Sequence, residues 1–259
     1  MKIKRKAGRI AKPGRPVFIV GYSFASPTIT DLRFWFDLEY GGPLKIHPGQ
    51  PPSSLTEWID VSHTTWAATL CLALPNEETE PWKEQLGWRH PLAAMIMQRQ
   101  VPPGEAIEAH LFGSRLARGL TLLTDGTAYD LTAGAFLNPS DWRDRPLASF
   151  CLADHVSVVQ VDSSDPAHEC FQTHGLSKFG MDELEVLSPR GLPGQHTIDR
   201  LLRIAEALMH GVRTPTVGST VSLPLLALDL HVISHRTIPH VRGPLSVRRI
   251  GWSTGSPER

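Results

Sequence analysis

Apolar positions along the chain alternate between a two-residue rhythm and a 3.6-residue rhythm, and the switches mark its elements. PVFIVGYSF, starting at Pro16, places four apolar residues together before Gly21 and predicts a buried strand. Thr30–Tyr40 spaces Leu32, Trp35, Phe36 and Leu38 helically behind a Thr30 or Asp31 cap, and Gly41-Gly42-Pro43 stops it. A turn-rich loop covers 47–54, and the very apolar run Thr65–Pro75 predicts a central strand. Residues 76–90 are polar, with a short helix expected around PWKEQL; the length of Pro91–Gln98 favours a strand. The clearest helix follows Pro102-Pro103, where Ile107, Leu111, Leu116, Leu120 and Leu123 keep the helical period as far as Gly126.

Beyond it, TAYDLTAGAFLNPSDW predicts two short strands around a turn at Ala133-Gly134, then a helical turn capped at Ser140. ASFCLADHVSVVQVD supplies one or two strands broken near Ala153-Asp154. HECFQTH and MDELEVL form a hairpin whose loop opens at Gly175 and closes at Gly180. His196–Val212 is an amphipathic helix with Ile198, Leu201, Leu202, Ala205 and Leu208 on one stripe. Val221–His235 is a last strand, interrupted by Pro224 and therefore at an edge or a bulge.

Strands this often adjacent in sequence predict an α+β fold: a mainly antiparallel mixed sheet of about eight strands with about three helices packed on it. Strict βαβ alternation is missing, which ranks a doubly wound sheet second. No period of 20–50 residues indicates a solenoid. The expected organisation is a basic arm over 1–15, one domain over 16–235, and a loosely attached Gly- and Pro-rich basic tail over 236–259. A weak seam lies near 43–56.

Charge changes this picture at the ends. The 259 residues balance 26 Lys and Arg against 26 Asp and Glu. Residues 1–15 nevertheless hold seven basic side chains and no acid, and 236–259 hold five Arg against Glu258. The body between them has 14 basic and 25 acidic side chains. A basic arm carrying Lys4, Arg5 and Lys6 can bind nucleic acid, an acidic partner or the acidic body itself. Three scattered cysteines exclude a disulfide framework, no apolar run is long enough for a membrane span, and no signal-peptide core follows the basic start. The expectation is a cytoplasmic protein.

Candidate chemistry centres on the hairpin. Alternation puts Cys170, Gln172 and His174 on one face, and sets Glu183 and Glu185 opposite Leu184 and Val186. His174 with a facing carboxylate is a possible general acid–base pair. Cys170 cannot pair with His174 directly, because four residues along a strand span roughly 13 Å. Glu183 and Glu185 are expected to lie on an exposed acidic strand. His231, His235 and His240, with His63, His155 and His174, show no standard ligand spacing, so neither a metal site nor a cofactor is expected. Asp60 and His63 are expected in a turn leading to the central strand. No G-x-S-x-G, G-x-G-x-x-G or P-loop motif occurs. Trp58, Trp66, Trp82, Trp88 and Trp142 line either a pocket or the edge of the core.

THGLSKFGMDELEV resembles a T-x-G-L-x-x-F-G-x-x-E-L-E signature of a bacterial family of domains of unknown function. LARGLTLLTDGTAYDLTAGAFLNPSDW is similar to the same family's helix and following G-x-x-x-D turn. Gly126, Asp130, Thr173, Gly175, Leu176, Phe179, Gly180, Glu183, Leu184 and Glu185 fall on matching positions, and the resemblance covers roughly residues 60–235. His174 falls on a variable position. The resemblance implies an α+β domain with no established activity, in a class associated with bacterial conflict or protein-interaction systems.

The leading expectation is a non-enzymatic interaction subunit or immunity-type partner that binds another protein through Lys178, Glu183, Glu185 and the basic arm. The alternative is a hydrolase or metal-dependent enzyme using His63, His174 and the Glu183/Glu185 pair. A third is nucleic-acid binding through the basic ends.

Overall fold

The computed structural model describes residues 14–48, 58–74, 90–99, 101–211, 215–239 and 243–254. The basic arm with Lys4, Arg5 and Lys6, the PWKEQL segment with Trp82 and Trp88, and His240 lie outside the described residues.

The architecture is α+β, but the strands divide between two sheets where a single sheet of about eight was expected. The first sheet comprises β1 (Arg15–Tyr22), β2 (Lys45–Pro48), β3 (Trp58–His63), β4 (Trp66–Cys71), β5 (Leu92–Gln98), β6 (Thr127–Asp130) and β7 (Ala135–Leu137). They run in the order β2-β3-β4-β5-β1-β6-β7, every pairing antiparallel. Three helices accompany it: α1 (Ile29–Tyr40), α2 (Ala106–Thr124) and the short α3 (Pro139–Arg143). The second sheet comprises β8 (Ser157–Val161), β9 (His168–His174), β10 (Glu183–Pro189), β11 (Thr220–Leu223), β12 (Leu228–Ile238) and β13 (Leu245–Thr254), in the order β11-β12-β13-β10-β9-β8. Helix α4 (Gly194–Gly211) packs on it.

β1 shows why its run is almost wholly apolar. Phe18, Val20 and Tyr22 enter the core under α1 and α2, while Ile19 joins Trp58, Met95 and Leu131 in a separate cluster. A strand buried on both faces has no polar positions to alternate with. The core under α4 gathers Phe171, Leu184, Val186, Leu201, Ile204 and Leu208. Of the stripe read from the helix, Leu201, Ala205 and Leu208 are buried and Ile198 and Leu202 are partly buried against this core, which Ile204 joins.

Some boundaries moved for local reasons. Helix α1 is capped by Thr28 rather than by Thr30 or Asp31: its side chain accepts from the Asp31 backbone N–H, and the Asp31 carboxylate accepts from the Thr28 N–H. Asn138, not Ser140, caps α3 through the same reciprocal arrangement with Asp141. Asp60 and His63 lie in β3 itself, and Thr64, in the left-handed region, turns the chain into β4. The expected interruption at Pro224 is a 3-10 turn (Pro224–Leu226), with β11 placed at the sheet edge.

The largest departure is at the C-terminus. Residues 245–254, expected in a loose tail, form β13 inside the second sheet, antiparallel to β12 and parallel to β10. Gly243 and Pro244 had suggested a loose end. They precede the strand, and the adjacent pair Arg248-Arg249 masks its alternation. Among the described residues no helix is long and apolar enough to cross a membrane.

Candidate functional site

The β9–β10 hairpin carries a dense set of polar groups. Its loop is a 3-10 turn, Leu176–Phe179, entered through Gly175 at φ +122° and left through Gly180 at φ +75°. Gly175 is required on two counts. Its φ suits glycine alone, and an added Cβ would lie 2.7 Å from the His155 carbonyl oxygen. The turn folds over Glu183, contrary to the expected exposed acidic strand: Glu183 and Glu185 are both 0% exposed.

The two carboxylates are satisfied differently. Glu183 Oε1 accepts from the Gly175 and Ser177 N–H groups at 3.0 and 3.1 Å; Oε2 accepts from the Leu176 N–H at 3.2 Å and the Thr173 hydroxyl at 2.9 Å. A cradle of three backbone amides is an anion-binding concavity, here filled by the protein's own side chain. Burial raises the Glu183 carboxyl above its usual range, against the pull of these four donors. For Glu185 burial acts upward as well, but hydrogen bonds and charge from Arg236 and Arg249 outweigh it and hold the group below the usual range. Arg249 donates to Oε1 from Nε at 2.8 Å, and Arg236 pairs with Oε2. Cys170 lies against this cluster. Burial, then Glu185, push its thiol up to about 11, which leaves it protonated at neutral pH.

A second cluster ties the hairpin to the first sheet. Lys178 donates to Asp130 Oδ2 at 2.5 Å and to the His155 carbonyl at 2.6 Å, with its side chain and that of Asp130 each only 4% exposed. Asp130 Oδ1 accepts from the Thr132 and Ala133 N–H groups. Burial raises Asp130, yet the Lys178 charge and these bonds prevail and lower it. His155 stacks on Phe150, with ring centroids 4.9 Å apart, and shares a hydrogen bond with Ser114 of α2 through Nδ1 at 3.2 Å. Burial, reinforced by Lys178, lowers its pKa to about 3, so the imidazole is neutral. Lys178, expected at a binding surface, is a structural clasp.

The residues of the enzyme reading do not assemble. His63 sits in the first sheet against the rings of Phe36 and Phe112, which also meet each other. His174 lies in β9 with Nε2 3.1 Å from the Gln172 amide nitrogen. Glu183 and Glu185 belong to the second sheet and engage their own donors. Among the described residues no group of three His, Cys, Asp or Glu could hold a metal ion.

Sequence reasoning missed a groove. β10 and β13 pair in parallel from Glu183 to Val186 and from Val247 to Ile250, then part, although β10 continues to Pro189 and β13 to Thr254. The gap opens a groove of about 520 Å³ between the strand ends and α4. Its walls include Val186, Leu192, Ile233, Ile250 and Trp252; His196, Arg200 and Arg249 add polar groups, and no carboxylate lines it among the described residues. The Arg200 guanidinium lies 5.7 Å from the Trp252 ring centroid. Leu192 and Ile233 are 56% and 59% exposed. No local motif announces such a site, because it arises where one strand parts from another far away in sequence.

Comparison of the chain with protein-family models, with curated proteins and with solved structures finds no match.

Proposed function

We propose that the protein is a non-enzymatic partner of another protein, a subunit or immunity-type binder, and that it receives an extended acidic segment of that partner in the groove between β10 and β13. The parting of two parallel strands that both run on carries this reading. An extended segment entering such a gap meets strand backbone and apolar walls, the means by which sheets recruit peptides. Trp252 under Arg200 has the composition of an interface anchor. Arg249 is engaged by Glu185, so Arg200, with no carboxylate among the described lining residues, sets the sign of the partner's charge. The reading thus reverses the expected polarity: the hairpin acids are internal, and the groove offers the Arg200 guanidinium.

The test is selection of short random peptides against the full chain. Enrichment of acidic residues alternating with apolar ones, lost in Arg200→Glu and weakened roughly thirty-fold or more in Trp252→Ala, supports it. Selection of basic sequences, or binding indifferent to both substitutions, overturns it.

A further inference from the structure

The second sheet ends at the edge strand β11, from which the chain turns through Pro224–Leu226 into β12. Between this corner and the second half of α4 lies a groove of about 710 Å³. Ala207, Val221, Leu223 and Leu226 make it apolar, and Arg203 and Glu206 stand on its helical side. It shares no residue with the β10–β13 groove.

The corner hides two leucines and presents a third. Leu223 is buried and Leu226 packs against the core under α4. Leu225, at the lip of the groove, is 97% exposed, more than any other large apolar side chain among the described residues. Nothing about the turn is loose. The Pro224 ring restricts its own φ, the Ala227 N–H donates to the Pro224 carbonyl at 3.0 Å, and Ala227 is held in the left-handed region at φ +50°. A non-glycine residue adopts that conformation at a cost, and such outliers gather where a shape serves a function. Here the shape holds a leucine in water, which is unfavourable until another surface covers it.

Two features select the covering surface. First, projection and recess belong to one corner, so a single two-fold rotation seats Leu225 of each copy in the groove of the other. That self-complementarity is the requirement of an isologous interface. Second, the charges match in the same way. Arg203 and Glu206 are exposed, lie one turn apart on α4, and make no ion pair among the described residues. When two α4 helices approach antiparallel about the two-fold axis, Arg203 of each copy meets Glu206 of the other, and one patch supplies both halves of two opposite-charge contacts. We propose that the chain forms a two-fold symmetric dimer through this corner. The dimer and the peptide groove use different residues, and neither proposal depends on the other.

Sedimentation equilibrium of the full chain over a concentration series decides it. The expected result is a reversible dimer whose dissociation constant rises at least roughly a hundred-fold in Leu225→Asp, since two leucines lose their cover at once. Arg203→Glu and Glu206→Arg should each weaken it at least roughly tenfold, because each sets like charges together twice. An equimolar mixture of those two variants should recover the dimer, since both contacts then join opposite charges. All three side chains are exposed, so the variants keep the fold, which circular dichroism verifies. A wild-type chain that stays monomeric up to about 1 mM, whether or not another protein covers Leu225, overturns the proposal. So does a dimer indifferent to Leu225→Asp, or a mixture that associates no more tightly than its two components.

Discussion

Glu183 and Glu185 stand two residues apart on one strand, on one face, and both are fully buried. The strand solves the same electrostatic problem in two ways. Glu183 has no cation among the described residues and is held by three backbone amides and a hydroxyl, all from residues 173–177. Glu185 has two arginines, drawn from strands 51 and 64 residues downstream. The first is a local device that fixes a turn. The second is a long-range one that fastens the C-terminal strands to the hairpin. The two therefore answer differently to substitution, salt and pH.

The largest effect is expected at Glu183. Glu183→Ala leaves three amides and the Thr173 hydroxyl facing a void that water enters poorly. A cost of about 3–5 kcal/mol follows from stranding several buried donors at once. Urea denaturation at neutral pH measures it. A loss below about 1 kcal/mol would show that the turn opens to solvent without penalty, and the contrast between the glutamates would collapse.

How much of this was readable is clear from the same residues. The hairpin, its glycine-bounded loop and the shared face of the two glutamates follow from alternation, a local property. Exposure does not follow, because a polar side chain on a strand is buried or wet according to what folds over it. The cover of Glu183 comes from neighbouring residues, and Gly175 was the available signal. The cover of Glu185 comes from Arg236 and Arg249, which lie in the stretch read as a tail. There the alternation of Leu245, Val247 and Ile250 slips across Arg248-Arg249, and the partner strand has a bulge between Val232 and Ser234. The pairing of β12 and β10 through β13 and the β10–β13 groove both depend on that stretch.

A smaller effect is expected at the arginines. Their side chains are 48% and 33% exposed, so water screens each pairing and the loss of one leaves the other in place. Arg236→Ala and Arg249→Ala should each cost about 1 kcal/mol or less, shrinking as salt is raised, whereas the Glu183→Ala penalty should hardly respond to salt. Chemical denaturation in urea at low and high sodium chloride separates the two behaviours. A salt-sensitive Glu183 would refute the cation-free description.

The finest distinction lies in the sign of the pH dependence. Glutamate in an unfolded chain titrates near about 4.3. Glu183 is raised above that in the fold, so its unfolded form ionises first, and the stability it contributes in acid is lost as pH climbs through the folded value. Glu185 is lowered, so its contribution is complete above about 4.3 and disappears as pH falls through the folded value. Subtracting wild type from each amide variant cancels every other titration, including that of His155. Relative to wild type, Glu183→Gln should gain stability with rising pH in the window above about 4.3, and Glu185→Gln should lose it with rising pH in the window below. Unfolding midpoints across both windows measure the slopes. Slopes of the same sign would mean that the amide cradle lowers a carboxyl as effectively as two guanidinium groups do, making charge pairing unnecessary on this strand.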